Sequence, residues 1–266
     1  MRLIITRPPL QALPWVQSLQ ALGLDAQALP LIDIAPPLAS APVQAAWRDL
    51  ASCSLVMFVS ANAVHHFFAA AGGALWPAST RAGSTGPGTS AALRAAGVPP
   101  LQIVEPAADA GRFDSEALWA LLADEDWAGR HVRVVRGEEG RDWLAETLRE
   151  RGAQVDFVAA YRRLAPQPDA AGQDLLAAAR AQPAAHCWVF SSSEAVGHLS
   201  VLAPAADWSR SIALASHPRI AAVARAAGFG HVDLVAPTLD ALAAAVAKLG
   251  ETGASSPGPS IQSRSL

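Results

Sequence analysis

The stretch "MFVSANAV", residues 57–64, returns half a chain later as "VFSSSEAV", residues 189–196. Phe58 matches Phe190, Ser60 matches Ser192, and Ala63-Val64 match Ala195-Val196. Each copy is a short apolar run, a serine turn, then an amphipathic segment. A continuous apolar run of this length is what a strand covered on both faces requires. The device is therefore strand, turn, helix, and the chain carries it twice.

The duplication extends to both sides. Upstream, "LIITRP" (3–8) and "VRVVRG" (132–137) are apolar runs that end in Arg7 and Arg136. Next, "LQALGLDAQALPLI" (19–32) lines up with "LRERGAQVDFVAAY" (148–161), with Gly23 opposite Gly152. Downstream, "GPGTSAALRAAGV" (86–98) matches "HPRIAAVARAAGF" (217–229), and the short strands "LQIV" (101–104) and "VDLV" (232–235) follow. Counted from the first residues of the paired stretches, the offsets are 129, 132 and 131 residues. Strands alternating with Gly-capped helices predict parallel sheets. The fold class is α/β, with two similar doubly wound parallel-sheet (flavodoxin-like) domains.

Composition narrows the function. Apolar residues make up 52% and charged residues 16% of the 266, which suits folded domains and not a disordered chain. The formal net charge is −3, so no general field draws nucleic acid, and an anionic ligand must be held by local groups. Lys248 is the only lysine and falls in a late helical stretch, which excludes P-loop phosphate chemistry and disfavours a Schiff base. Cys53 and Cys187 adjoin the repeated strands as small buried hydrophobes, and His65-His66 point apart on a helix, so no metal site is expected. "MRLIITRPP" is too short for a signal region, and no run of eighteen apolar residues occurs, so a soluble cytoplasmic monomer with no membrane contact is expected.

In parallel α/β sheets ligands gather beyond the carboxyl ends of the strands, at helix N-termini. The residues expected there are Arg7, Ser60, Ala61, Asn62, Gly86, Thr89, Arg136, Gly137, Ser191, Ser192, Ser193 and Ser216. Hydroxyls, arginines and free helix N–H groups suit carboxylates or phosphates. Ser60, Thr89 and Ser192 are equally good N-caps, a role that needs no ligand. "GSTGPG" (83–88) invites a nucleotide, with Glu105 in place for a ribose, but its glycine order is G-x-x-G-x-G and the preceding "PASTRA" is a poor strand. Tyr161, the only tyrosine, closes the second strand of the second copy where the first copy has Ile32. It is either a packing residue or a phenol proton donor facing a cleft between the domains.

Taken together, "TRP" near the start, "LPLI", "MFVSANAV", "GPGTSAALRAAG", "RGEEGRDWLAETLRERGAQV", "AYRR" and "VFSSSEAV" resemble the uroporphyrinogen-III synthase family over roughly residues 1 to 250. "SHPR" at 216–219 departs from the family's "GPTT"-like turn, leaving Ser216 or backbone amides in place of a threonine. The resemblance implies two α/β domains joined by a two-strand connection. One is residues 1–33 with 164–250, the other 37–160, and 251–266 is a disordered tail. It implies cyclisation of hydroxymethylbilane, a linear tetrapyrrole rich in carboxylates, with loss of water and inversion of ring D. It implies no cofactor or metal. Tyr161 would assist departure of the hydroxyl as the catalytic residue, and Ser60, Thr89 and Ser192 would bind acidic side chains. The readings left beside it are a non-enzymatic two-domain anion-binding protein and a nucleotide-dependent transferase.

Overall fold

The computed structural model describes residues 1–107 and 113–254, with the side chains of 250–254 left aside. In chain order the elements are β1 Arg2–Ile5, α1 Pro9–Ala21, β2 Ala26–Ala28, β3 Asp33–Ala35, α2 Ala41–Arg48, β4 Leu55–Phe58, α3 Ala61–Ala69, β5 Arg81–Ser84 and α4 Pro87–Ala95. There follow β6 Ile103–Val104, α5 Ser115–Leu122, β7 His131–Gly137, α6 Trp143–Glu150, β8 Gln154–Leu164 and α7 Ala170–Ala181. The last are β9 His186–Phe190, α8 Ser193–Leu202, β10 Ile212–Ala215, α9 Pro218–Ala226, β11 His231–Leu234 and α10 Leu239–Ala254.

The chain divides into two units, residues 1–33 with 164–266 and residues 34–163. The first unit's sheet has the order β11-β10-β9-β1-β2, and the second unit's sheet has β3-β8-β7-β4-β5-β6. Each sheet joins the first half of one sequence copy to the second half of the other. β1 pairs in parallel with β9, Ile5 opposite Val189, and β7 pairs in parallel with β4, Val135 opposite Phe58. Within each sheet the five repeated strands follow the order of a flavodoxin-like fold. The exchange sets an arginine-ending strand beside a serine-ending strand in both units.

The strands form because both of their faces are covered. In the second unit Val56, Phe58, Val135, Val158 and Ala160 pack under α2, α3 and α4 with Trp47 and Phe67. Leu55, Met57, Val132 and Val134 meet Leu118, Leu144 and Leu148 on the other side. In the first unit Leu3, Ile5, Val189 and Leu214 pack against α1 and α10. Trp188, Phe190, Trp208 and Phe229 stack edge-on and face-on elsewhere in that unit, with ring centroids 5.2–6.3 Å apart. Each fully buried aromatic or aliphatic side chain contributes about 1.5–3 kcal/mol.

Glycine ends the helices where the sequence places it. Gly23, Gly97, Gly152 and Gly228 all have φ between 79° and 95°, the left-handed conformation that a side chain resists.

Several expectations shift. The first copy's second strand stops at Ala28, the Leu29 and Leu31 N–H groups still donate to the Ile5 and Thr6 carbonyls, and the next strand begins at Asp33. "LQIV" is a 3-10 turn over Pro100–Gln102 followed by a two-residue strand. "RAGS" at 81–84 is a strand, β5, despite its poor propensity, because Ala82 and Gly83 pair with both neighbours. Helix α10 continues through Gly250 to Ala254, past the start of the expected tail, and residues 255–266 lie outside the described residues.

Both cysteines are buried, and burial raises their thiol pKa values, Cys187 to about 12. They are inert hydrophobes. No described helix is long and apolar enough to cross a membrane.

Candidate functional site

In the first unit the carboxyl ends of β1, β9 and β10 carry Arg7, Ser191–Ser193 and Ser216. Ser192 is the N-cap of α8, its Oγ accepting from the Glu194 N–H at 3.2 Å. His217, not a hydroxyl residue, caps α9 by accepting from the Arg219 N–H at 3.1 Å. Arg7 lies over the Trp15 ring of α1, with its guanidinium carbon 3.9 Å from the ring centroid. Its Nε is buried without a hydrogen-bond partner among the described residues. Burial lowers its pKa to about 10, so it stays cationic at neutral pH but poorly solvated. The buried Ser193 Oγ likewise has no partner among the described residues. Arg7, Trp15, Ser191 and Ser216 line a cavity of about 20 Å³ together with Val235–Pro237. That is room for one small polar group.

The second unit has the same plan with a different outcome. Arg136, at the end of β7, lies over the Phe157 ring at 4.1 Å, and its Nη1 donates to Asp142. Its cation is already paired. Ser60 is the N-cap of α3, accepting from the Ala63 N–H at 3.2 Å, and its Oγ is also 3.2 Å from the Tyr161 hydroxyl. The N–H groups of Ala61 and Asn62 belong to that helix's first turn, which has no intrahelical acceptor. The Asn62 side chain is buried.

Tyr161 does not close its strand, because β8 runs on to Leu164. A register shift after Arg136 places Gly137 opposite Tyr161, skipping Ala160. In a regular strand, neighbouring residues point to opposite faces. The irregularity turns Tyr161 onto the face already occupied by Val158 and Ala160, under α3. There the ring rests on Gly137, where a Cβ would come within 3.2 Å of Cε2 and Cζ, and His66 stacks beside it at 6.1 Å. Burial, reinforced by the neighbouring His65, lowers the His66 pKa and keeps that imidazole neutral. Tyr161 is only 2% exposed, as a packing residue would be.

Thr89 is not an N-cap. Gly86 holds that position without a side-chain bond, and Thr89 is buried in the first turn of α4. The turn is occupied from within, since the Gly86 N–H donates to the Ser84 Oγ at 3.2 Å. Gly83 is a strand residue, and Glu105 accepts from Arg94 on α4, so "GSTGPG" lacks both the phosphate turn and the free acid of a nucleotide site. Trp15, His66, Phe157 and Asp142 are not among the site residues expected from the sequence. Their motif partners are residues of other elements, and no local spacing signals them.

A family model described as uroporphyrinogen-III synthase matches residues 14–244. A uroporphyrinogen-III synthase of Salmonella typhimurium is 34% identical over 173 residues, 64% of this chain and 68% of that one. The chain belongs to the uroporphyrinogen-III synthase family. The Escherichia coli relative of that name is 30% identical over 177 residues, with the same 64% and 68% shares. Two solved structures show the fold. A mutant uroporphyrinogen III synthase from Thermus thermophilus superposes with a TM-score of 0.57 at 20% identity, covering 95% of this chain and 99% of that one. The Helicobacter pylori uroporphyrinogen-III synthetase gives 0.55 at 13% identity, covering 94% and 100%. The activity is that of a uroporphyrinogen-III synthase, a lyase-type cyclisation of hydroxymethylbilane with loss of water and inversion of ring D.

Proposed function

We propose that the first unit's strand ends hold carboxylates of hydroxymethylbilane while the second unit's Tyr161 assists departure of the hydroxyl. The observation that carries this division is the state of the two equivalent arginines. The half-buried Arg7 has its Nε sequestered from solvent without a hydrogen-bond partner among the described residues, and Arg136 is paired with Asp142. An unpaired guanidinium over an aromatic ring, beside hydroxyls, is arranged to accept a planar anion.

In this assignment Arg7, Ser191, Ser193 and Ser216 take one acidic side chain, with the first-turn amides of α8 beyond Ser192. The first-turn amides at Ala61 and Asn62 take another, and the Gly88 N–H at the start of α4 meets a third. Arg136 and Gly137 act as supports, the one tied to Asp142, the other backing the Tyr161 ring. Loss of hydroxide from carbon is slow without a proton, which is the part assigned to Tyr161. Spontaneous closure gives the uninverted isomer, so the remaining contribution is to position the chain ends for attack at the substituted carbon. The two units act as domains of a cytoplasmic monomer that needs no metal or cofactor. Its partner is the linear tetrapyrrole, not a nucleic acid or a membrane.

The test is incubation with freshly made hydroxymethylbilane, followed by oxidation and chromatographic separation of the macrocycles. Type III product faster than spontaneous closure is expected from the wild type. Tyr161→Phe is expected to lower kcat, and Arg7→Met to raise KM. Unchanged turnover in Tyr161→Phe would remove the tyrosine from the chemistry.

A further inference from the structure

We infer that Ser60, not Tyr161, delivers the proton to the departing hydroxyl, and that Tyr161 acts through it. The inference rests on the assignment above and changes which atom touches substrate. A serine hydroxyl can accept two hydrogen bonds and donate one. The Ser60 Oγ receives the Ala63 N–H at 3.2 Å and lies 3.2 Å from the Tyr161 hydroxyl. Of the two orientations of that pair, only one satisfies both groups. If Ser60 donated, the phenol hydrogen would need a second acceptor inside the core, where Tyr161 is 2% exposed and Ser60 is its only described hydrogen-bond partner. If Tyr161 donates, both acceptor positions of Ser60 are filled and its own hydrogen is left to point outward. Ser60 is half-buried and stands at the rim, whereas the phenol lies behind it. Gly137 and His66 flank the ring, which holds the phenol oxygen beside Ser60.

The step balances as follows. As the carbon–oxygen bond of the hydroxymethyl group breaks, its electron pair stays on oxygen, and the Ser60 hydrogen passes to that oxygen to give water. The Ser60 Oγ takes the Tyr161 proton, leaving a phenolate and an azafulvenium cation. After ring closure the macrocycle loses one proton, which returns through Ser60 to the phenolate. Protons are conserved over the cycle, and no oxidant or reductant is required. Ser60 is the catalytic residue in this scheme, and Tyr161 is a positioning and proton-storing residue.

Tyr161 is the only tyrosine of the chain, so growth on fluorinated tyrosine alters this phenol alone. Mono- and difluorotyrosine proteins have graded acidity at nearly constant size. They are compared at a pH where every phenol stays protonated. Single-turnover rates should rise severalfold along the series while KM stays fixed, the response expected of a proton in flight. In Ser60→Ala the rate should fall by about 10²-fold or more and the response to fluorination should vanish. Ser60→Thr, which keeps the hydroxyl, should restore both. Ser60→Gly, which helix starts tolerate nearly as well as serine, covers the case in which Ser60→Ala fails to fold. A rate indifferent to fluorination, with type III product retained, would overturn the relay alone. So would a response that persists in Ser60→Ala and Ser60→Gly. Absence of type III product from the unmodified protein would overturn the assignment beneath it.

Discussion

The two units carry the same strand-end device in opposite electrostatic states. In the second, Arg136 is paired with Asp142 and Ser60 is bonded to Tyr161. In the first, the Arg7 Nε and the Ser193 Oγ are buried without described partners. A buried polar group without a partner costs roughly 1–3 kcal/mol, more when it is charged. A protein keeps such groups where a ligand satisfies them. Under the proposed assignment, one duplicated motif yields a finished half for chemistry and an unfinished half for binding.

The largest effect expected is at the finished half. Tyr161→Phe should lower kcat by about 10²–10⁴-fold with KM little changed, whereas Ile32→Val, at the equivalent place of the first copy, should leave turnover as it is. Steady-state kinetics on both variants would decide, and equal effects would erase the contrast.

Gly137→Ala should come next. Its Cβ would meet the Tyr161 ring at 3.2 Å, and displacing the phenol from Ser60 should cut kcat by roughly 10-fold or more. Structure determination of this variant with the ring unmoved and activity intact would show that the close approach is incidental.

A third effect concerns acid stability. In the second unit, Arg133 on β7 is buried and bridges Asp49 at 2.7 Å and Asp156 at 2.8 Å. Its counterpart in the first copy is Ile4, fully buried among apolar residues. The hydrogen bond from Arg133 holds the Asp49 carboxyl below its usual range. A carboxylate with a depressed folded pKa contributes stability that is complete above about pH 4 and is lost as pH falls through the folded value. Acid titration of unfolding should therefore be shallower in Asp49→Asn than in the wild type below about pH 4. Superimposable curves would mean that the pair is idle.

The smallest effect is Ser193→Ala. Removing a buried hydroxyl that lacks a described partner should leave thermal stability unchanged or slightly raised, while KM rises a few-fold if the group meets substrate. A marked loss of stability would show that the hydroxyl serves the fold.

The sequence shows the duplication, the strand-to-helix turns and the capping glycines because each is local. Gly23, Gly97, Gly152 and Gly228 occupy the left-handed positions that their spacing after helices demands. The serines at 60 and 192 are legible as caps for the same reason. What stays hidden depends on how neighbouring elements pack, even where the partner lies only a few residues away. Nothing near Arg7 or Arg136 says that one will lie over Trp15 and the other over Phe157 beside Asp142. The register shift that turns Tyr161 inward is a property of the β7–β8 pair, so the strand's alternation alone places the ring on the wrong face. Thr89 reads as a cap because a threonine near a helix start is a common one, yet Gly86 occupies the cap position and the helix buries the threonine.

The most direct measurement is the KM for hydroxymethylbilane in Arg7→Met and Arg136→Met, each beside its thermal midpoint. Loss of a charged contact worth about 1.5–3 kcal/mol should raise KM roughly 10–100-fold in Arg7→Met, with a midpoint no lower than that of the wild type. Arg136→Met should change KM less and lower the midpoint. Equal KM values, or the larger rise in Arg136→Met, would contradict the division between a binding half and a chemical half.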